Sequence, residues 1–131
     1  MGQVHEEGID YIFDLAFATP GDYYVGLCGD SVIAKDAVYT DLIEVTGSGY
    51  ALIALSTITV STYLTDDRIA TGNEVTFSAT GNWTEAVHYF IVTPDVGSGT
   101  YILISSNALD TAVTLTSGES VAVTPKITGT A

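Results

Sequence analysis

The chain has 131 residues, 47% of them hydrophobic, which is enough apolar material for the core of one domain. Sixteen Asp and Glu face three basic residues, Lys35, Arg68 and Lys126, for a formal net charge of -13. That balance excludes nucleic acid and anionic membrane surfaces as partners, because both require Lys and Arg to neutralise phosphate. No apolar run is long enough to predict a membrane span.

Residues 6–17 read as the one helix. Ile9, Ile12, Phe13, Ala16 and Phe17 recur at helical spacing, with Glu6, Glu7, Asp10 and Asp14 on the other side. Glu6 and Glu7 also suit the positive end of the helix dipole. Thr19-Pro20-Gly21 ends the helix, since proline removes a donor and glycine permits a turn. The acidic start of the chain lacks the basic region of a secretory signal, so the expected place of synthesis is a cytoplasm.

Residues 22–28 alternate, placing Tyr23, Val25 and Leu27 on one side and Tyr24, Gly26 and Cys28 on the other. Residues 34–45 read as an irregular excursion carrying about one helical turn. After the breaker Gly47-Ser48-Gly49, residues 50–63 read as a strand bent near Ser56, followed by a polar turn at Thr65-Asp66-Asp67. Val75, Phe77 and Ala79 alternate with Thr76 and Ser78. Residues 86–93 are apolar on both faces, the pattern of a central strand. Residues 101–105, 112–115 and 121–127 complete the strands, with a turn at Ser117-Gly118-Glu119. Strands that do not alternate with helices predict a mainly β chain, an antiparallel β-sandwich or barrel with one short N-terminal amphipathic helix. The expected organisation is a single domain over residues 1–131, with residues 1–19 packing on the sheet or on a neighbour.

The residues that carry chemistry are few. Cys28 is the only cysteine, which excludes an intrachain disulfide, and its strand position reads as a buried small hydrophobe. His5 and His88 stand far apart and form no zinc spacing; His88 reads as a packed strand residue. Asp30, Asp36, Asp41 and the pair Asp66-Asp67 lack the oxygen ladder of a calcium loop. The expected cofactor is none, with calcium between acidic loops or subunits as the alternative. Trp83, just before a strand, reads as an indole that plugs the end of a sandwich and donates its N–H to a loop carbonyl.

A motif order emerges from these readings. A short amphipathic helix precedes Tyr23-Tyr24-Val25-Gly26-Leu27-Cys28, then Thr40-Asp41-Leu42-Ile43-Glu44-Val45 and Gly47-Ser48-Gly49-Tyr50-Ala51. Asn73-Glu74-Val75-Thr76-Phe77 and Thr80-Gly81-Asn82-Trp83 follow. This order resembles a family of small tailed-bacteriophage virion proteins of the decoration, minor structural or tail-fibre-like kind. Such proteins usually carry an arginine after the glycine-tyrosine-alanine turn; Leu52 stands here, so no role of that arginine is carried over.

The resemblance implies a β-sandwich present in many copies on a virion, with no catalytic residues. The function expected from it is a structural protein, a capsid decoration or cement protein bound to the major capsid shell. The alternative is a tail or baseplate component with an adhesive, receptor- or glycan-binding role, and a small hydrolase using Cys28 or a carboxylate pair ranks third. Expected partners are other virion proteins, the major capsid protein or tail subunits, in a homo-oligomer or multi-copy assembly. The candidate protein-contact residues are Ile9, Ile12, Phe13, Phe17, Tyr50 and Trp83.

Overall fold

The computed structural model describes residues 5–62 and 67–130. Those residues form one helix, α1 (Glu6–Ala16), and the strands β1 (Tyr24–Cys28), β2 (Ile53–Ala54), β3 (Ile58–Thr62), β4 (Asp67–Gly72) and β5 (Val75–Ser78). The chain continues with β6 (Ala86–Asp95), β7 (Thr100–Val113), β8 (Ser120–Val123) and β9 (Lys126–Thr130). Every strand pairing is antiparallel. The strands group as a four-stranded sheet in the order β2-β1-β6-β7, a three-stranded sheet β3-β4-β9 and a ribbon β5-β8. The fold is thus mainly β and antiparallel with a short N-terminal helix, as the sequence predicts.

Side-chain alternation builds the layers. Val25 and Leu27 of β1, with Tyr89 and Ile91 of β6, meet Val75, Phe77 and Val123 of the ribbon in the main core. Each large side chain buried there contributes about 1.5–3 kcal/mol relative to exposure. The opposite face of the four-stranded sheet carries Cys28, Phe90 and Val92 in a second cluster, covered by Ile33, Tyr39, Leu42 and Leu52. The excursion between β1 and β2 is therefore a roof over the sheet. Its one helical turn is Tyr39–Asp41. The burial of β6 on both faces accounts for the apolar run Tyr89-Phe90-Ile91-Val92.

The structure departs from the expected boundaries in four places. Residues 50–63 divide into β2 and β3 around Leu55, whose side chain enters the main core. The expected turn at 65–67 falls mostly outside the described residues, and Asp67 begins β4, a strand that the sequence reading lacks. β7 is one strand where two were expected; its polar middle, Ser105-Ser106-Asn107, pairs with Tyr89, Phe90 and Ile91 of β6. Residues 121–127 divide into β8 and β9 at Thr124-Pro125 because proline cannot donate to a ladder.

Candidate functional site

Helix α1 has two apolar faces. Phe13 and Phe17, one turn apart, lie edge to face with centroids 5.5 Å apart and pack with Ala70 of β4 against Ile58, Val60 and Ile127. A Cβ built on Gly129 of β9 would stand 2.3 Å from Phe13 Cζ, so only glycine lets the ring come this close to the strand. At the other end, the Tyr23 hydroxyl donates to the Ala16 carbonyl, one of the last-turn carbonyls without a helical partner. The helix thus covers its own three-stranded sheet. Ile12 does not join this stripe: it is 50% exposed, together with Tyr11 at 68% and Leu15 at 65%. The inward face is set by the Phe13–Phe17 pair, which turns Ile12 to the outside. The Ile9 side chain lies outside the described residues.

Under the roof, two tyrosines grip one carboxylate. Tyr39 donates to Glu44 Oε1 at 2.5 Å and Tyr50 to Oε2 at 2.6 Å. The Tyr50 oxygen also accepts the Leu27 N–H at 3.0 Å, which ties the roof to β1. Burial pushes the Tyr39 phenol up to about 12, and its hydrogen bond to Glu44 adds to the rise. Burial and the same carboxylate push Tyr50 up as well. Glu44 bridges Cys28 across the strand edge. Cys28 is fully buried, and burial first of all pushes its thiol up to about 12, far from a nucleophilic thiolate at neutral pH. His88 Nδ1 lies 2.7 Å from the Asp30 carbonyl, an arrangement that fastens the start of the roof.

Trp83 is 4% exposed, and its indole N–H donates to the Ser48 carbonyl at 2.7 Å. Its ring meets Tyr50 edge on at 5.4 Å, and Tyr50 stacks on Phe77. Gly47, at φ +151, leaves room for the indole, since a Cβ there would stand 2.3 Å from Trp83 Cδ1. Trp83, like Phe13 and Phe17, is therefore turned into the chain, and Tyr50 is half-buried between core and roof. Within the chain, these four rings pack against its own strands and loops.

A cleft of about 930 Å³ opens between β7 and the β8–β9 segment, lined among others by Asn107, Asp110, Thr111, Val121, Thr124 and Lys126. At its base the Tyr89 hydroxyl accepts from Asn107 Nδ2 and from the Lys126 N–H, both at 3.0 Å. Four residues of β7, Leu109 to Ala112, oppose Val87 alone, and this wide bulge carries Leu109, Asp110 and Thr111 into the cleft wall.

The acidic loops spend their oxygens on backbone donors. Asp30 Oδ2 accepts the Ile43 N–H at 2.7 Å and Asp41 Oδ2 the Val38 N–H at 3.0 Å. Among the described residues no three His, Cys, Asp or Glu side chains converge as metal ligands; Asp66 lies outside them. Sequence reasoning missed Tyr39, Glu44 and Tyr89, whose partners come from other elements. It also passed over Tyr11 and Leu15, although their apolar character on an acidic helix was a visible signal. Comparison with protein-family models, curated proteins and solved structures finds no match to this chain.

Proposed function

We propose that the chain is a virion structural protein that decorates the capsid shell, acting through surface contacts and catalysing no reaction. The observation that carries this reading is the outer face of α1, where Tyr11, Ile12 and Leu15 stand exposed on a helix anchored from beneath by Phe13 and Phe17. Clustered apolar exposure on a rigid support marks an interaction site. The acidic surface keeps the chain away from packaged nucleic acid, and the motif order points to the same class. Labelled antibody against the chain, viewed on virions that carry it, is expected to mark the head shell. Tyr11→Ser/Ile12→Ser/Leu15→Ser, added to particles stripped of the native protein, is expected to fold normally and fail to bind. Absence of the protein from particles overturns the reading.

The cleft between β7 and β8–β9 favours a second reading, an adhesive component of the tail or baseplate. Its polar wall of Asn107, Asp110, Thr111 and Thr124 offers donors and acceptors to a glycan. Antibody label on the tail together with a positive glycan array would support it, and loss of that signal in Asn107→Ala would place the ligand in the cleft.

A further inference from the structure

Strand β7 borders the four-stranded sheet, with β6 on one side and no partner on the other among the described residues. A border strand presents a row of unpaired N–H and C=O groups, and proteins usually blunt it with Lys, Pro or charge. Here no charged residue and no proline stands between Asp95 and Asp110, in a chain that carries -13 overall. Two isoleucines on this stretch are exposed, Ile102 at 47% and Ile104 at 38%.

We propose that the Thr100–Ser106 part of this edge pairs with the same edge of a second copy, antiparallel about a two-fold axis at Leu103. That register sets Ile102 of each copy opposite Ile104 of the other, so two identical strands complement one another, as a two-fold interface requires. The four isoleucines form one cross-strand apolar patch of β-branched pairs. Charge matching selects the occupant: a basic partner is drawn to carboxylates, and this strip has none, whereas the same uncharged strip of a second copy meets it with no like charges face to face. Ile104 is the extra residue of a bulge between the pairs Ile91–Ser105 and Val92–Leu103, and the added twist limits the contact to a short stretch. An interface of this length falls below the roughly 1,000 Å² of a stable dimer, so the pair is weak and concentration-dependent. It gives the multi-copy reading above a defined joint, and it rests on that reading only for its biological setting.

Sedimentation of the purified full chain tests it. The wild type is expected to pass from monomer at about 1 µM to dimer near 1 mM, with amide exchange of residues 101–105 slowing over the same range. Ile102→Lys/Ile104→Lys is expected to stay monomeric throughout with an unchanged melting temperature. The two added lysines lower the net charge from -13 to -11, which by itself would favour association. Tyr11→Ser/Ile12→Ser/Leu15→Ser is expected to dimerise like the wild type. A monomer at every concentration overturns the proposal, as does a dimer that survives the lysines or is lost with the helix variant. Should the double variant fail to fold, Ile102→Lys alone and the wild-type exchange data decide. Because the readout needs no particle, failure to dimerise and failure to bind virions are separate results.

Discussion

The ring of Phe13 occupies the space that a side chain on Gly129 would fill, so the helix near one end of the chain is seated on a strand near the other. A methyl group at 129 has to push the ring, and with it α1, away from β9.

Gly129→Ala is therefore expected to lower stability by about 1–3 kcal/mol through overpacking, and Phe13→Ala by about 3–5 kcal/mol through the cavity it leaves. The two changes share one space, so the double variant should cost less than their sum. Urea unfolding of the four proteins measures this. Strict additivity would mean that Phe13 and Gly129 do not touch.

Stability is expected to fall at high pH. The folded state holds the Tyr39 phenol protonated to about 12, against 10.0 for the ordinary group, and the Cys28 thiol to about 12, against 9.0. In both cases burial is the main cause and the folded state binds the extra proton, so the stabilisation is complete below the ordinary value and is lost as pH rises through the folded one. Melting temperature should hold steady up to about pH 9 and drop between there and about 12. Tyr50 and Tyr39 share Glu44 and titrate as a coupled set. Tyr50→Phe, which leaves the buried Leu27 N–H without its acceptor, should cost about 1–3 kcal/mol at neutral pH and flatten the alkaline drop. A melting temperature that climbs above pH 10 would contradict this account.

Cys28 sits between β1 and the roof with no exposed surface. Thiol reagent at neutral pH is expected to leave it unmodified in the native protein and to label it fully in urea. Tyr39→Ala, which loosens the roof over Phe90, should speed labelling by an order of magnitude or more, roughly the effect of about 1.4 kcal/mol on local opening. Rapid labelling of the wild type would return Cys28 to the list of reactive groups.

Much of this fold was legible in local pattern. The alternation of residues 22–28 separates Val25 and Leu27 from Cys28, the two-sided apolarity of β6 marks its central place, and the bend near Ser56 falls between β2 and β3. β4 was not legible, because Arg68-Ile69-Ala70-Thr71-Gly72 lacks a clear period and becomes a strand through its partners β3 and β9. The helix was legible but its inward face was not: Ile12 and Phe13 are neighbours, and only the socket at Gly129 decides which of them turns in. The Tyr39–Glu44–Tyr50 grip was invisible for a similar reason, since its purpose is to hold the roof to Leu27 of a separate strand.

The order in which strands pair also sets a timetable for synthesis. β1 finds its main partner only when β6 exists, and β4 waits for β9 before its sheet has a second border. Such distant pairings slow folding, because loop closure must precede the contacts that reward it. Phe13 and Phe17 can meet Ile58, Val60 and Ala70 once β3 and β4 are made, but the Gly129 socket for the Phe13 ring exists only after β9 has emerged. Until then the Phe13 ring lacks one wall of its seat, and that open side is a place where a chaperone can hold the growing polypeptide.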